Sequence, residues 1–219
     1  MSEPTPDPLA DLRHTYDRDT LDEARAASEP YAQFKRWIDD ALSADLREPN
    51  AMTLATVDAL GNPQARIVLL RGWSEAGFVF YTNYLSSKGT EIAKHPRVAL
   101  LFFWDKLERQ VRINGDIAHV DELESDLYFA RRPRGHQLSA WASPQSAAVP
   151  DRADLDARMA EVERRFAGVD VPRPPHWGGY RVTPYLFEFW QGRPNRVHDR
   201  LAYAYDARYE RWKRERLAP

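Results

Sequence analysis

The chain has 219 residues, 43% of them hydrophobic and 12% aromatic, with a formal net charge of −2 and no cysteine. That length supports one sizeable core. The near-neutral balance argues against a scaffold held on nucleic acid by bulk positive charge, and the missing cysteines exclude disulfides, thiolate metal sites and a cysteine nucleophile. The longest apolar run, Val98–Trp104, has the length of a strand and cannot span a bilayer. Met1–Leu12 is rich in Pro and Asp and lacks the apolar stretch of a secretory signal, so a soluble, cytoplasmic protein is expected.

Residues 1–29 carry eight Asp/Glu against three Arg and read as an acidic, mobile arm with a short helix near Leu12. Residues 30–219 read as one domain. Glu29-Pro30 opens a helix in which Phe34, Trp37, Ile38, Ala41, Leu42 and Leu46 recur at three- and four-residue spacing. The period then falls to two over Ala51–Asp58, and Gly61-Asn62-Pro63 turns the chain into a returning strand, Arg66–Trp73. A strand at Phe78–Thr82 precedes a short helix, Lys88–Lys94, capped by Ser86 or Ser87. Strands Val98–Trp104 and Glu108–His119 follow, with Gln110, Arg112 and Asn114 on one face of the second. Asp121–Ala130 is helical in pattern, with Leu123, Leu127 and Ala130 sharing a face, and Arg131–Gly135 breaks it. A helix at Arg152–Phe166 and strands Tyr180–Trp190, Arg196–Tyr205 and Tyr209–Arg216 complete the chain. Short antiparallel strands with helices in the connections predict a mainly β (α+β) protein, a closed or partly closed barrel with peripheral helices.

There is no glycine-rich nucleotide loop, no nucleophile elbow and no paired spacing among the six histidines, so a bound organic cofactor is the expected carrier of any reaction. Four clusters of polar groups stand out. Arg66 and Arg71 bracket Ile67, Val68, Leu69 and Leu70, and an arginine in a half-buried strand needs an anion or a salt bridge. Tyr81-Thr82-Asn83 leads to Ser86-Ser87-Lys88 at a helix start, a setting suited to phosphate as well as to plain capping. Tyr128 and Arg132 are four apart, on one face if the helix persists, either a second phosphate clamp or surface decoration. Finally, strand alternation would put Arg196, His198 and Arg200 on one face beside Trp190, three groups that repel one another unless an anion or conjugated ring lies against them.

The string Glu188-Phe189-Trp190-Gln191, then Arg196-Val197-His198-Asp199-Arg200, resembles the signature of the pyridoxamine/pyridoxine 5′-phosphate oxidases. Arg66–Leu70, Phe80–Asn83, Leu107–Val111, Trp177-Gly178-Gly179 and Arg216–Pro219 are similar to further family blocks in the same order. The resemblance implies an FMN-binding split β-barrel, a homodimer with FMN at the subunit interface, and oxidation of pyridoxine or pyridoxamine 5′-phosphate by O2 to pyridoxal 5′-phosphate. It implies that Arg66 and Lys88 hold the FMN phosphate, with Ile67, Val68, Leu69, Leu70, Arg71, Tyr81, Thr82 and Ser87 around it. It further implies that Gln110, Gln145, Ser146, Trp190 and Arg200 meet the rest of the flavin, some from the partner subunit. Arg71, Tyr128, Arg132 and His136 would take the substrate phosphate, and Arg196 and His198 would cover the substrate ring as the catalytic pair. No metal, nucleic acid or membrane partner is implied.

Three residues depart from the family's usual pattern: Arg71 stands for a lysine, Ser87 for an arginine and His136 for a serine. The arm near Asp19–Glu23 is acidic where some relatives carry arginines. Competing readings are an oxidase of the same fold acting on a phenazine-type ring, a non-catalytic flavin or pyridoxal-phosphate binder, and a nucleic-acid binder using the basic C-terminal end.

Overall fold

Pro30, with its fixed φ, begins α1 (Pro30–Ser43), which presents Phe34, Trp37, Ile38 and Ala41 inward while Leu42 of the expected stripe stays exposed. The computed structural model describes residues 9, 12 and 14–219. The expected helix near Leu12, and most of the arm before it, lies outside the described residues.

Beyond α1, β1 (Ala51–Val57) and β2 (Pro63–Leu69) form the anticipated hairpin. The Asp58 carboxylate closes its turn by accepting from the Leu60 and Asn62 amides, and Gly61 takes φ +88° there. The returning strand is shorter than expected, because the chain changes partners at its end. The Leu70 amide donates to the Asn50 carbonyl and that of Arg71 to the Val79 carbonyl, after which β3 (Gly72–Ser74) pairs with β4 (Gly77–Asn83).

Next come α2 (Ser87–Lys94), capped by Ser86, and the tightly connected β5 (Arg97–Trp104) and β6 (Arg109–His119). Helices α3 (Glu122–Ala130), α4 (Arg134–Ala142) and α5 (Arg152–Arg165) lead to β7 (Trp177–Gln191), β8 (Asp199–Asp206) and β9 (Arg211–Arg216). The expected face of α3 is inverted. Leu123, Leu127 and Ala130 are exposed, and Ser125 and Phe129 turn inward, the Ser125 hydroxyl accepting from the Gly179 amide. Helix α4 has no counterpart in the sequence reading, since Pro133 and Gly135 at its start look like breakers.

All pairings are antiparallel, in the order β2-β1-β5-β6-β7-β4-β3, with β8 on β7 and β9 on β8. This is the curled, split-barrel sheet the sequence predicts. Strand β7 makes the closure possible. Its first half pairs with β4 and its second half with β8, and the switch falls at Pro184-Tyr185, where the β6 register slips between Asn114 and Gly115. Proline has no amide to offer the ladder, and a bulge sharpens local twist, so one long strand serves two partners. The inside is filled by Phe34, Phe78, Phe80, Phe102, Phe187 and Phe189, each essentially inaccessible. A second cluster of Phe129, Leu138, Phe166, Val171 and Trp177 fastens α3–α5 to the start of β7.

Residues 14–29 lie along the C-terminal strands. Arg216 donates to Glu23 at 2.7 and 2.8 Å and to the Leu21 carbonyl at 3.0 Å, and Arg214 donates to the carbonyls of Glu23, Ala26 and Ala27. Hydrogen bonding from Arg216 holds the Glu23 carboxyl at about 2, well below its ordinary 4.5. The contact is therefore intact above pH 4.5 and is lost as pH falls toward 2. Amide exchange at Ala26, which donates to the Asp22 carbonyl at 2.9 Å, should, once corrected for the intrinsic rate, lose protection over that window, and Glu23→Gln should weaken the pH dependence. Protection unchanged down to pH 2 would show that other contacts hold the segment.

Candidate active site

A cavity of about 640 Å³ opens where β2, β4, α2 and the α3–α4 corner meet. Among the described residues, five cations line it (Arg66, Arg71, Lys88, Arg131 and Arg132) together with His136, and no Asp or Glu does. Such a lining is costly without anions and well suited to more than one phosphate.

The cations fall into two groups. On the α2 side, Arg66 donates to Glu91 at 2.8 Å and to the Thr56 hydroxyl, so this guanidinium already has a carboxylate partner. Lys88 does not. It is buried, and among the described residues its ammonium reaches only the Ser86 hydroxyl at 3.2 Å and Gln145 Oε1 at 3.3 Å. Burial pushes the Lys88 ammonium below its ordinary range; Arg66 adds to this and Glu91 opposes it. A buried ammonium held by neutral oxygens fits a phosphate of the size FMN would bring. Thr82, whose hydroxyl donates to Gln145 at 3.1 Å, and the strand Ile67, Val68 and Leu69 line the same space.

On the other side stand Tyr128, Arg132, Arg71 and His136. Tyr128 is on α3 and Arg132 lies just past its end, yet both reach the cavity. One amino group of Arg132, Nη1, is buried with no hydrogen-bond partner among the described residues. Burial presses against its charged form; Tyr128 opposes this and the charge of Arg71 adds to it. The Tyr81 ring stacks on Tyr128 at 3.7 Å and 7°, and burial pushes its phenol up to about 12.

Other predicted residues lie elsewhere in this chain. Leu70 is buried in the main core; Ser87 is exposed at the start of α2 and does not line the cavity. Ser146, next to Gln145, sits in a left-handed turn at φ +72°. Gln110, Trp190, Arg196, His198 and Arg200 form a separate group on β6–β8 and the loop between β7 and β8.

The expected single face of Arg196, His198 and Arg200 does not exist. Strand β8 begins only at Asp199, and Arg196 lies in a 3-10 turn, Pro194–Arg196, with Asn195 at φ +57° and Arg196 at φ +64°. Left-handed backbone interrupts the alternation that the sequence reading assumed. A positive φ is also uncommon for arginine, and such local strain concentrates at functional sites. Arg200 is in the strand, but it is neutralised by buried Glu188 at 2.8 Å, which also takes Arg112.

The His198 ring lies 4.6 Å from Trp190, and its Nδ1 accepts from the Arg193 amide at 3.1 Å. Burial, then Arg196, lowers its pKa below the ordinary 6.5. With Nδ1 engaged, the neutral ring keeps its proton on Nε2.

The sequence reading missed four contributors. Arg131, Pro133 and Trp177 complete the cavity wall, and Tyr16 packs edge-on against both Trp190 and His198 at 5.7 Å. Nothing local marks Tyr16, since its partners are over 170 residues away. A side chain at Gly192 would strike the Tyr16 ring at 2.8 Å, which is the one sequence-level trace of that packing.

A curled antiparallel sheet carrying a multiply cationic cavity, with no Asp or Glu among its described lining residues, defines an anion-binding protein on a split-barrel frame. Residues 38–166 match the family described as pyridoxamine 5′-phosphate oxidase, and residues 177–219 match the pyridoxine 5′-phosphate oxidase C-terminal dimerisation region. The chain is 58% identical over 212 residues to a pyridoxine/pyridoxamine 5′-phosphate oxidase of Burkholderia cenocepacia, covering 96% of this chain and 99% of that one. It is 55% identical to the protein of that name in Pseudomonas paraeruginosa, with 96% and 98% covered. Among solved structures it is similar to PhzG of Burkholderia lata in complex with tetrahydrophenazine-1-carboxylic acid (TM-score 0.84, 33% identity, 92% and 98% covered). The chain belongs to the pyridoxamine 5′-phosphate oxidase family of oxidoreductases, whose cofactor is FMN. No helix among the described residues is long and apolar enough to cross a membrane.

Proposed function

We propose that this protein is an FMN-dependent oxidase that converts pyridoxine 5′-phosphate or pyridoxamine 5′-phosphate to pyridoxal 5′-phosphate. Oxygen is reduced to hydrogen peroxide, and the amine, with water, also gives ammonia. The observation that carries this reading is the pairing of two cation groups in one cavity without an acid, which suits two phosphates at once. Lys88 and Arg66 would hold the FMN phosphate, with Tyr81, Thr82 and Gln145 beside it, and Arg132, Tyr128, Arg71 and His136 would hold the substrate phosphate. When bound, FMN supplies a two-electron acceptor that O2 restores. No protein nucleophile or metal is needed.

Gln110, Trp190, Arg196, His198 and Arg200 belong to this reading through a second copy of the chain. A homodimer would bring the β6–β8 face of one subunit to the cavity of the other, and the match of residues 177–219 to a dimerisation region supports it. There Arg196 would cover the substrate ring and His198 Nε2 would donate a hydrogen bond to it, while Arg200, held by Glu188, would face the flavin. A cytoplasmic dimer is part of the same reading.

A second reading, oxidation of a reduced phenazine carboxylate, is favoured by the likeness to PhzG. Peroxide release measured with each substrate in turn separates the two. Pyridoxine 5′-phosphate should be turned over at least about 100-fold more efficiently than unphosphorylated pyridoxine, because Arg132, with its Nη1 buried and unpartnered among the described residues, penalises a ligand lacking the anion. Turnover of a reduced phenazine carboxylate with none of the pyridine phosphates would favour the second reading.

A further inference from the structure

We propose that Trp177 is a positioning residue that holds Arg132 for the phosphate of the substrate; this deepens the reading above and rests on it. The Arg132 guanidinium makes no side-chain hydrogen bond or ion pair among the described residues, and its Nη1 is buried. What fixes its plane is aromatic. Its central carbon lies 4.4 Å from the centre of the Trp177 ring and 5.6 Å from that of Phe129. A carboxylate partner would orient the arginine but would also satisfy it and cancel its charge. A ring face orients it and leaves every N–H free for an incoming anion.

Trp177 is itself held firmly. It is 6% exposed, stands edge-on to Phe129 at 5.2 Å, and lies nearly parallel to Tyr81 (5.6 Å, 11°) and Tyr128 (6.2 Å, 5°). The indole thus aligns with the ring that bears the Tyr128 hydroxyl as well as with the guanidinium. The two residues that follow make this possible. A Cβ on Gly178 would come within 2.0 Å of the Tyr84 hydroxyl, and one on Gly179 within 2.8 Å of the Tyr81 ring. The Trp-Gly-Gly step therefore supplies one large flat face and then clears the strand so that neighbouring rings can cross it.

The test uses the FMN-loaded protein and two variants, Trp177→Leu and Trp177→Phe. The leucine variant should raise KM for pyridoxine 5′-phosphate about tenfold, with kcat and FMN content within about twofold of the parent. The phenylalanine variant, which keeps a weaker face, should recover most of the loss, with a rise of about threefold. Inorganic phosphate, followed by 31P line broadening on the FMN-loaded protein, should weaken in the same order. A fall in kcat or FMN content with KM unchanged, or equal effects from leucine and phenylalanine, would overturn the role. If the leucine variant does not fold, a phenylalanine variant with unchanged KM and unchanged phosphate binding overturns it equally. Failure of the parent to oxidise any pyridine phosphate would remove the proposed function, while the phosphate titration would still decide whether Trp177 holds Arg132.

Discussion

Arg132→Ala should raise KM for pyridoxine 5′-phosphate by on the order of 100-fold while FMN stays bound. The guanidinium is desolvated and has an unpartnered Nη1, so a phosphate gains charge-assisted hydrogen bonds without displacing an existing partner. Removing one side of such a buried charged contact costs about 2–5 kcal/mol, most of it seen in binding. The flavin should be indifferent, because Lys88 and Arg66 sit at the other group of cations and Arg66 has its own carboxylate in Glu91. Steady-state kinetics together with the flavin-to-protein absorbance ratio make the check. A KM shift below threefold, or a parallel loss of flavin, would remove Arg132 from the substrate site.

The opposite pattern is expected at Lys88. Lys88→Met should weaken FMN binding by about 100-fold or more, since a buried ammonium bonded, among the described residues, only to neutral oxygens would find its counter-ion in the ligand. The flavin-free protein should melt no lower than the parent, and higher at neutral pH. Burial pushes the folded-state pKa of Lys88 below that of the unfolded chain. Keeping it charged therefore costs stability at every pH below the folded value, and the cost disappears only above the unfolded one. A neutral side chain of similar shape relieves that cost. Melting of the flavin-free forms and titration with FMN measure the two effects separately. A variant that binds FMN within threefold of the parent, or whose flavin-free form is destabilised, would show that Lys88 is structural.

These two positions show what a linear chain discloses. Lys88 and Arg132 were both legible: one follows a capping serine at a helix start, and the other lies four residues from a tyrosine. What they lack could not be read. The missing carboxylate at Lys88 and the bare Nη1 of Arg132 depend on which distant groups do not arrive. The hairpin at Gly61 and the β5–β6 pair were likewise visible, because local turn chemistry and alternation decide them. The inward face of α3 was misjudged because Leu123 and Leu127 carry the apolar signal while Ser125 and Phe129 make the contacts. The Arg196–Arg200 face was misjudged for another reason. Strand alternation was extended through Asn195 and Arg196, whose left-handed backbone ends it. The family signature singles out those residues independently of the geometry inferred for them, which was wrong. A single chain also separates them from the cavity, which the resemblance to a dimeric family anticipates and periodicity does not.

The most direct measurement is anaerobic mixing of the purified, FMN-loaded protein with pyridoxine 5′-phosphate, followed at the flavin absorbance bands. The account predicts rapid bleaching, return of the yellow colour on admission of air, and one pyridoxal 5′-phosphate formed for each flavin reduced. Flavin that stays oxidised with both the alcohol and the amine phosphates, yet is bleached by a reduced phenazine carboxylate, would contradict the proposed substrate and leave only the fold and the cofactor standing.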